Sequence, residues 1–395
     1  MNTEKLYFEH GHSDRFEARV TACRERAEGG FEVVLDRTLF FPEGGGQPSD
    51  SGVILYEGEE IKVTDAHERE GLIYHFCDRP LPEGARVTGV IDFEKRFRRM
   101  QNHSGEHIIS GIAHRLYGCE NVGFHMGSED VTIDFDIELD ENQVDTLELE
   151  ANRAVWKDLP FRNLFPTASE LERLDYRSKK ELTGQVRLVE VEGVDLCACC
   201  APHVSRSGEI GIIKILFFIR YKGGVRLHVL CGADALDHII STDRQATGIA
   251  RTLSLKHHEI YEGVLRLSDG IAALKKRNGE LISALITRIA NDIQPTDGNT
   301  VVFCSGVDGS DMRALANAVA GKTGGICAVF SKKEDGYAYV MASASVDLRA
   351  ASKEINAALG GRGGGSPTMI QGSCTCAEPT ILGYFKTDTP VRAEI

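Results

Sequence analysis

The stretch His103-Ser104-Gly105-Glu106-His107 sits inside a run, 94–117, in which Ile108, Ile112 and Leu116 recur at four-residue steps. That period predicts an amphipathic helix, with Gly118 as its stop. On a helix, side chains four positions apart share a face, so His103 and His107 point the same way. Far along the chain, Cys199-Cys200-Ala201-Pro202-His203 sets a thiol and an imidazole at the same spacing. Imidazoles and a thiolate are the donors zinc prefers. The pair of motifs therefore predicts one zinc ion held by His103, His107, Cys199 and His203. His203 is read either as the fourth ligand or as the group that holds a water. A set of four closes a tetrahedron, as structural zinc does, whereas catalysis keeps one position open. His114 lies seven residues beyond His107, roughly 10 Å along the axis, too far to join.

Working outward, residues 1–92 alternate and turn often. Short strands are predicted at 31–35, 52–55, 61–63, 71–76 and 85–91, a pattern of a small antiparallel barrel. An apolar run at 211–219 faces 225–230 across Gly223-Gly224, which reads as a hairpin. Residues 236–292 are helical in pattern. Val264, Leu267, Ile271, Leu274, Asn278, Leu281 and Leu285 step by three and four, which fits a coiled-coil seam with one polar position or an intrachain helical hairpin. From 300 onward strands and helices alternate, and the run Gly360–Pro367 suggests a close backbone approach to phosphate or a partner.

At 395 residues the chain is too long for one ordinary core. Hydrophobic residues make up 42%, and no apolar run nears the twenty residues a membrane span needs. The first residues carry charges throughout and lack a signal-peptide core, so the 11 cysteines read as reduced thiols of a cytoplasmic protein. A net charge of −14 argues against a general nucleic-acid coat protein. A local basic face could still hold RNA. Glu94-Lys95-Arg96-Phe97-Arg98-Arg99 is one candidate, the group Arg220, Lys222 and Arg226 another, and Lys275-Lys276-Arg277 a third; each also reads as an ordinary solvated face.

Several motifs agree in order. Thr38 to Gly52, which contains Glu43-Gly44-Gly45-Gly46-Gln47-Pro48, resembles the glycine-rich motif of the alanyl-tRNA synthetase editing domain, and still more the free-standing alanyl-tRNA editing proteins of the AlaX type. His103 to His107 matches their HxxxH, Phe124-His125-Met126-Gly127 the segment after it, and Cys199 to His203 with Gly208-Glu209-Ile210-Gly211 their CxxxH and its tail. Gly361 to Pro367 with Gln371-Gly372 resembles the DHHA1 domain of the synthetase and of the long AlaX proteins. With residue 1 leading into the barrel, a free-standing editing protein without an aminoacylation domain is the expectation. The chain departs from the family at Cys200-Ala201-Pro202, where Gly-Gly-Thr is usual, and at Glu106, where Gln or Thr is usual.

The resemblance implies a multidomain α+β protein. Its parts are an N-terminal small antiparallel β-barrel with the glycine-rich motif (1–92), an α+β zinc editing domain (93–235), a helical linker or coiled coil (236–293) and a C-terminal α/β DHHA1-like domain (294–395). It implies zinc-dependent hydrolysis, in trans, of tRNA(Ala) mischarged with serine or glycine, with a DHHA1 part that serves tRNA binding or dimerisation; nucleotide and ATP binding come with the synthetase relationship, and the heptad from Val264 to Leu285 adds the expectation of a homodimer. Gly44, Gly45, Gly46, Gln47 and His125 are the expected substrate-binding residues. Gln47, Glu106 and Thr38 are the expected catalytic ones, with Glu106 as a general base. Two rivals stand beside this reading. HxxEH is also a metalloprotease signature, which requires a downstream carboxylate ligand. A non-catalytic tRNA-binding module with structural zinc is the other.

Overall fold

The structure, a computed structural model, describes residues 2–127, 129–178 and 186–394. The chain divides into two units, Met1–Gly248 and Ile249–Ile395.

The first unit begins with a closed six-stranded barrel. Its strands follow the order Arg15–Glu25, Phe31–Leu35, Leu72–Cys77, Glu59–Arg69, Gly52–Tyr56 and Arg86–Ile91, and the last pairs back with the first. The 11-residue opening strand was not among the sequence-predicted ones. Its alternation is clear only over Phe16, Ala18 and Val20, with charged residues between. Barrel-facing residues such as Val33, Ile54, Ile61 and Val87 fill the interior.

Helix α1 (Phe93–Tyr117) leaves the barrel. The Asp92 carboxylate accepts from the Lys95 backbone N–H at its start, and Gly118, in the left-handed region at φ 68°, ends it as the sequence predicts. From Met100 to Ala113 every residue of α1 is buried. Such burial needs close approach: a Cβ on Gly105 would stand 2.3 Å from Cys231 Sγ. A four-stranded antiparallel sheet (order Ile213–Tyr221, Gly224–Cys231, Val131–Phe135, Asn121–Met126) and the helix Glu141–Trp156 complete this core. A three-stranded sheet, Phe161–Leu164, Leu188–Val191 and Asp195–Ala198, delivers the chain to Cys199.

The helical stretch read over 236–292 is two helices, Gly232–Leu253 and Ile260–Asp292. The second unit then forms a six-stranded sheet with helices Gly309–Ala320, Leu348–Leu359 and Glu378–Phe385. The glycine run is not a phosphate loop: Gly361–Gly365 is the edge strand of that sheet, paired with Met369–Cys374. Among the described residues, no helix is long and apolar enough to cross a membrane.

Candidate metal centre and cavity

One donor atom from each of His103, His107, Cys199 and His203 lies within 4.8 Å of the other three. Cys199 Sγ is 3.4 Å from His103 Nε2 and 3.3 Å from His203 Nε2. Donors bound to zinc at 2.0–2.3 Å in a tetrahedron stand about 3.5 Å apart, so the spacing fits the ion.

The reason lies behind each ring. His103 Nδ1–H donates to Gln47 Oε1 at 2.9 Å, and His107 Nδ1–H to Asp195 Oδ2 at 2.9 Å. His203 Nδ1–H meets Ser104 Oγ at 3.2 Å. With every Nδ1 so engaged, Nε2 is the ring atom turned to the cluster, where a metal would replace its proton. Arg177 in turn grips Asp195 through Nε at 2.7 Å and Nη2 at 2.9 Å. Burial alone would push the Cys199 thiol up. His103 and His203 beside it, with hydrogen bonds from His103 and His107, instead hold it well below its ordinary value. Burial, helped by the neighbouring imidazoles, takes His203 down to about 3, so its ring is neutral. His107 goes the other way, to about 9: burial is outweighed by Asp195, Cys199 and Glu106.

The glycine-rich motif serves this centre from the side. Gly44 and Gln47 exchange backbone hydrogen bonds of 3.1 and 3.0 Å around a two-residue turn, with φ of 59° at Gly45 and 81° at Gly46. Two successive positive φ values define a turn that glycine makes without strain. A Cβ on Gly46 would also lie 2.5 Å from the Phe124 carbonyl. The turn thus tucks under the strand Asn121–Met126 and sends Gln47 behind His103.

In front of the cluster opens a cavity of about 660 Å³. His103, His107 and Cys199 form its reactive wall, with Gly45, Gly46 and Phe124 beside them. Gln47 is outside the lining; it is 1% exposed and its Nε2 has no partner among the described residues. Glu106 is likewise buried. Its Oε1 accepts from Ser110 Oγ at 2.8 Å and Asn121 Nδ2 at 2.5 Å, while Oε2 comes within 3.9 Å of His107 Nε2.

Two expected residues are misplaced. Thr38 is fully buried in the barrel, its hydroxyl 2.8 Å from His75 Nε2 and bonded by the Phe40 N–H, so it cannot meet a substrate in the cavity. His125 is exposed, because alternation along its strand turns Val122 and Phe124 to the cavity and His125 to the opposite face. The arginines of the basic stretch at 94–99 are also taken up by partners within the chain, while Lys95 is exposed. Arg96 is fully buried and bidentate to Asp50, with a further bond of 2.6 Å to the Leu39 carbonyl. Arg98 pairs with Asp234 and Asp237. His114 sits on the surface, 3.0 Å from Glu120. The sequence reading missed Asp195, although Asp195, Cys197 and Cys199 follow period-2 spacing that puts a carboxylate on the ligand's side of the strand.

Family profiles match three regions: "tRNA synthetases class II (A)" over 8–95, "Threonyl and Alanyl tRNA synthetase second additional domain" over 186–251, and "DHHA1 domain" over 297–379. These domains place the chain among the proteins related to the editing and C-terminal parts of alanyl-tRNA synthetase. Within that class it is similar to the free-standing alanyl-tRNA editing proteins along nearly its whole length. Alanyl-tRNA editing protein AlaX-L of Pyrococcus horikoshii is 28% identical, over 93% of this chain and 94% of that protein. Alanyl-tRNA editing protein Aarsd1 of Mus musculus is 28% identical, over 88% and 85%. The alanine–tRNA ligase of Natronomonas pharaonis is 33% identical over 94% of this chain, which spans only 42% of that enzyme.

Proposed function

We propose that this chain is a zinc-dependent deacylase that hydrolyses seryl-tRNA(Ala), with glycyl-tRNA(Ala) as a second substrate. The observation that carries the reading is the convergence of His103, His107, Cys199 and His203 Nε2 and Sγ atoms on one point at the wall of a cavity. A zinc ion held there would polarise an ester carbonyl or a water. His103, His107 and Cys199 are its firm ligands. His203, neutral and on the same point, either completes the set or holds the water. Glu106, whose Oε2 comes within 3.9 Å of His107 Nε2, takes the proton of the attacking water. Water adds to the acyl carbon, and serine and the free 3′ end of the tRNA leave. Gln47 acts through His103 rather than on the acyl group. A pocket that bonds the serine hydroxyl leaves its polar groups unpaired with alanine, which is how a correct aminoacyl ester is spared.

The metalloprotease reading lacks support: Asp195, the carboxylate nearest the cluster from downstream, faces His107 Nδ1 and not its metal side. Structural zinc remains a second reading, favoured by the same four-donor convergence. We carry forward the four-part division at 92, 235 and 293, a cytoplasmic setting, and a homodimer. Val264, Leu267, Ile271, Leu274, Leu281 and Leu285 are all exposed along the helix Ile260–Asp292, as a dimer seam requires. The decisive experiment is deacylation of seryl-tRNA(Ala) by the zinc-loaded chain, with and without a chelator, alongside His103→Ala and Cys199→Ala. Both variants should be inactive. Undiminished turnover in metal-free His103→Ala would remove zinc from the mechanism, and a zinc-bound wild type without activity would leave the structural reading.

A further inference from the structure

We propose that Lys5 and Arg187 form an anion subsite in the cavity, which takes the 5′-phosphate of the substrate's terminal nucleotide while the ester sits at the His/Cys cluster. The proposal rests on the deacylase reading for the identity of that nucleotide.

The chain as a whole carries a net charge of −14. The cavity inverts that balance. Lys5 and Arg187 line it, and no carboxylate does among the described residues. Both cations lie against one ring: Arg187 Cζ is 5.1 Å and Lys5 Nζ 5.7 Å from the centre of Phe8, itself a wall of the cavity. Glu68, which pairs with Lys5 at 2.7 Å, is outside the lining.

Arg187 is the more informative of the two. It is only 8% exposed. Its Nη1 donates to the carbonyls of Cys199 and Ala201, each at 2.9 Å, and its Nη2 to Asn163 Oδ1 at 2.7 Å. Its Nε–H has no partner, and no carboxylate pairs with it among the described residues. A buried guanidinium is costly without an anion, and an orphaned N–H adds to that cost. A phosphate oxygen relieves both at once, since charge-assisted bonds from Arg are short and strong. The same side chain holds the turn that carries Cys199, so the subsite is fixed relative to the reactive wall. Phe124 and Phe165 supply apolar surface in the same cavity for the ribose and base. At about 660 Å³ the cavity is of small-molecule size, enough for one nucleotide and its ester.

The test is calorimetric titration of the zinc-loaded full chain with adenosine 5′-monophosphate, adenosine and inorganic phosphate. The expected result is adenosine monophosphate binding about tenfold or more tightly than either. Lys5→Ala and Arg187→Lys should each erode that preference several-fold. Because Arg187 also supports the Cys199 turn, Lys5→Ala keeps the test decisive should the other variant fail to fold. Equal binding of adenosine and its monophosphate, whether both bind or neither does, overturns the proposal. So does inorganic phosphate binding as well as the nucleotide, or a preference undiminished in Lys5→Ala. Hydrolysis of seryl-tRNA(Ala) is scored separately: a chain that prefers the monophosphate yet deacylates nothing refutes the deacylase reading and not the subsite.

Discussion

Replacing Gln47 with leucine asks whether this side chain works through the metal centre. Gln47 is 1% exposed; its Oε1 accepts from His103 Nδ1–H at 2.9 Å and its Nε2 bonds to nothing among the described residues. Leucine takes the acceptor from His103, and an unsatisfied buried donor costs about 1–3 kcal/mol. It also removes the orphaned Nε2, a defect of the same order. The two nearly cancel, so the urea midpoint should move by less than about 1 kcal/mol equivalent. Metal binding has no such compensation. Without its acceptor, the His103 ring is free to move its proton to Nε2 and to rotate, and loss of an outer partner costs about 10–100-fold in affinity. Zinc affinity, measured by competition against a chelating dye, should fall by that factor, about 1.4–2.7 kcal/mol. Gln47→Glu, which returns a stronger acceptor, should match or exceed the wild type. Deacylation at saturating zinc then separates indirect from direct roles: recovery means Gln47 acts through His103. Zinc affinity in Gln47→Leu within twofold of wild type would refute the reasoning.

Other consequences follow from the same geometry. Arg96→Met should lower stability by about 3–5 kcal/mol in urea titration, because it strands the buried Asp50 carboxylate; Asp50→Asn placed on top should recover part of that loss, and its failure to do so would show the pair is not the cause. His75, fully buried, has its imidazole lowered to about 4 by desolvation while its Nδ1–H donates to Val33 O and its Nε2 faces Thr38. The unfolded ring takes up its proton near pH 6.5 and the folded ring does not until about 4, so stability should drop by about 3 kcal/mol as pH falls through that window. His75→Gln should flatten this slope in pH-resolved melts, and an unchanged slope would assign it to other groups. Light scattering on the full chain and on a 1–235 truncation tests the dimer: a dimeric full chain and a monomeric fragment are expected, and a full chain that is monomeric at micromolar concentration ends the proposal.

What the sequence makes legible is local. A helix with His103 and His107 on one face announces itself through the spacing of Ile108 and Ile112 and through Gly118. Most barrel strands announce themselves by alternation and by the glycines between them. The glycine motif was readable as a tight turn but not as the device that seats Gln47 behind His103, because that contact spans 56 residues and depends on Gly46 passing under Phe124. Asp195 was invisible for the same reason: only the sheet that brings it 88 residues back to His107 makes it an orienting carboxylate. His125 and Thr38 were assigned by motif alone. Strand alternation sends the first outward, and a neighbour in the barrel, His75, claims the second.

The basic stretch shows how burial overrides composition. Four cations in six residues at 94–99 look like an RNA-binding face in a chain whose overall charge repels RNA. Yet Arg96 spends its guanidinium inside, on Asp50 and the Leu39 carbonyl, and so ties the glycine motif to α1. Arg99 bonds the Ser49 carbonyl, and Arg98 is matched by two aspartates. These arginines fix the position of the turn that supports His103; they have little charge left for phosphate. Two cations that no run of sequence advertises, Lys5 and Arg187, 182 residues apart, instead meet at the ring of Phe8 in the wall of the cavity. An acidic protein can therefore engage a polyanion through its end rather than its length. That predicts a weak salt dependence for tRNA affinity, with a slope of about one phosphate rather than the six to ten of a groove binder. A steeper slope, measured by filter binding from 50 to 200 mM salt, would locate the main contact on another surface.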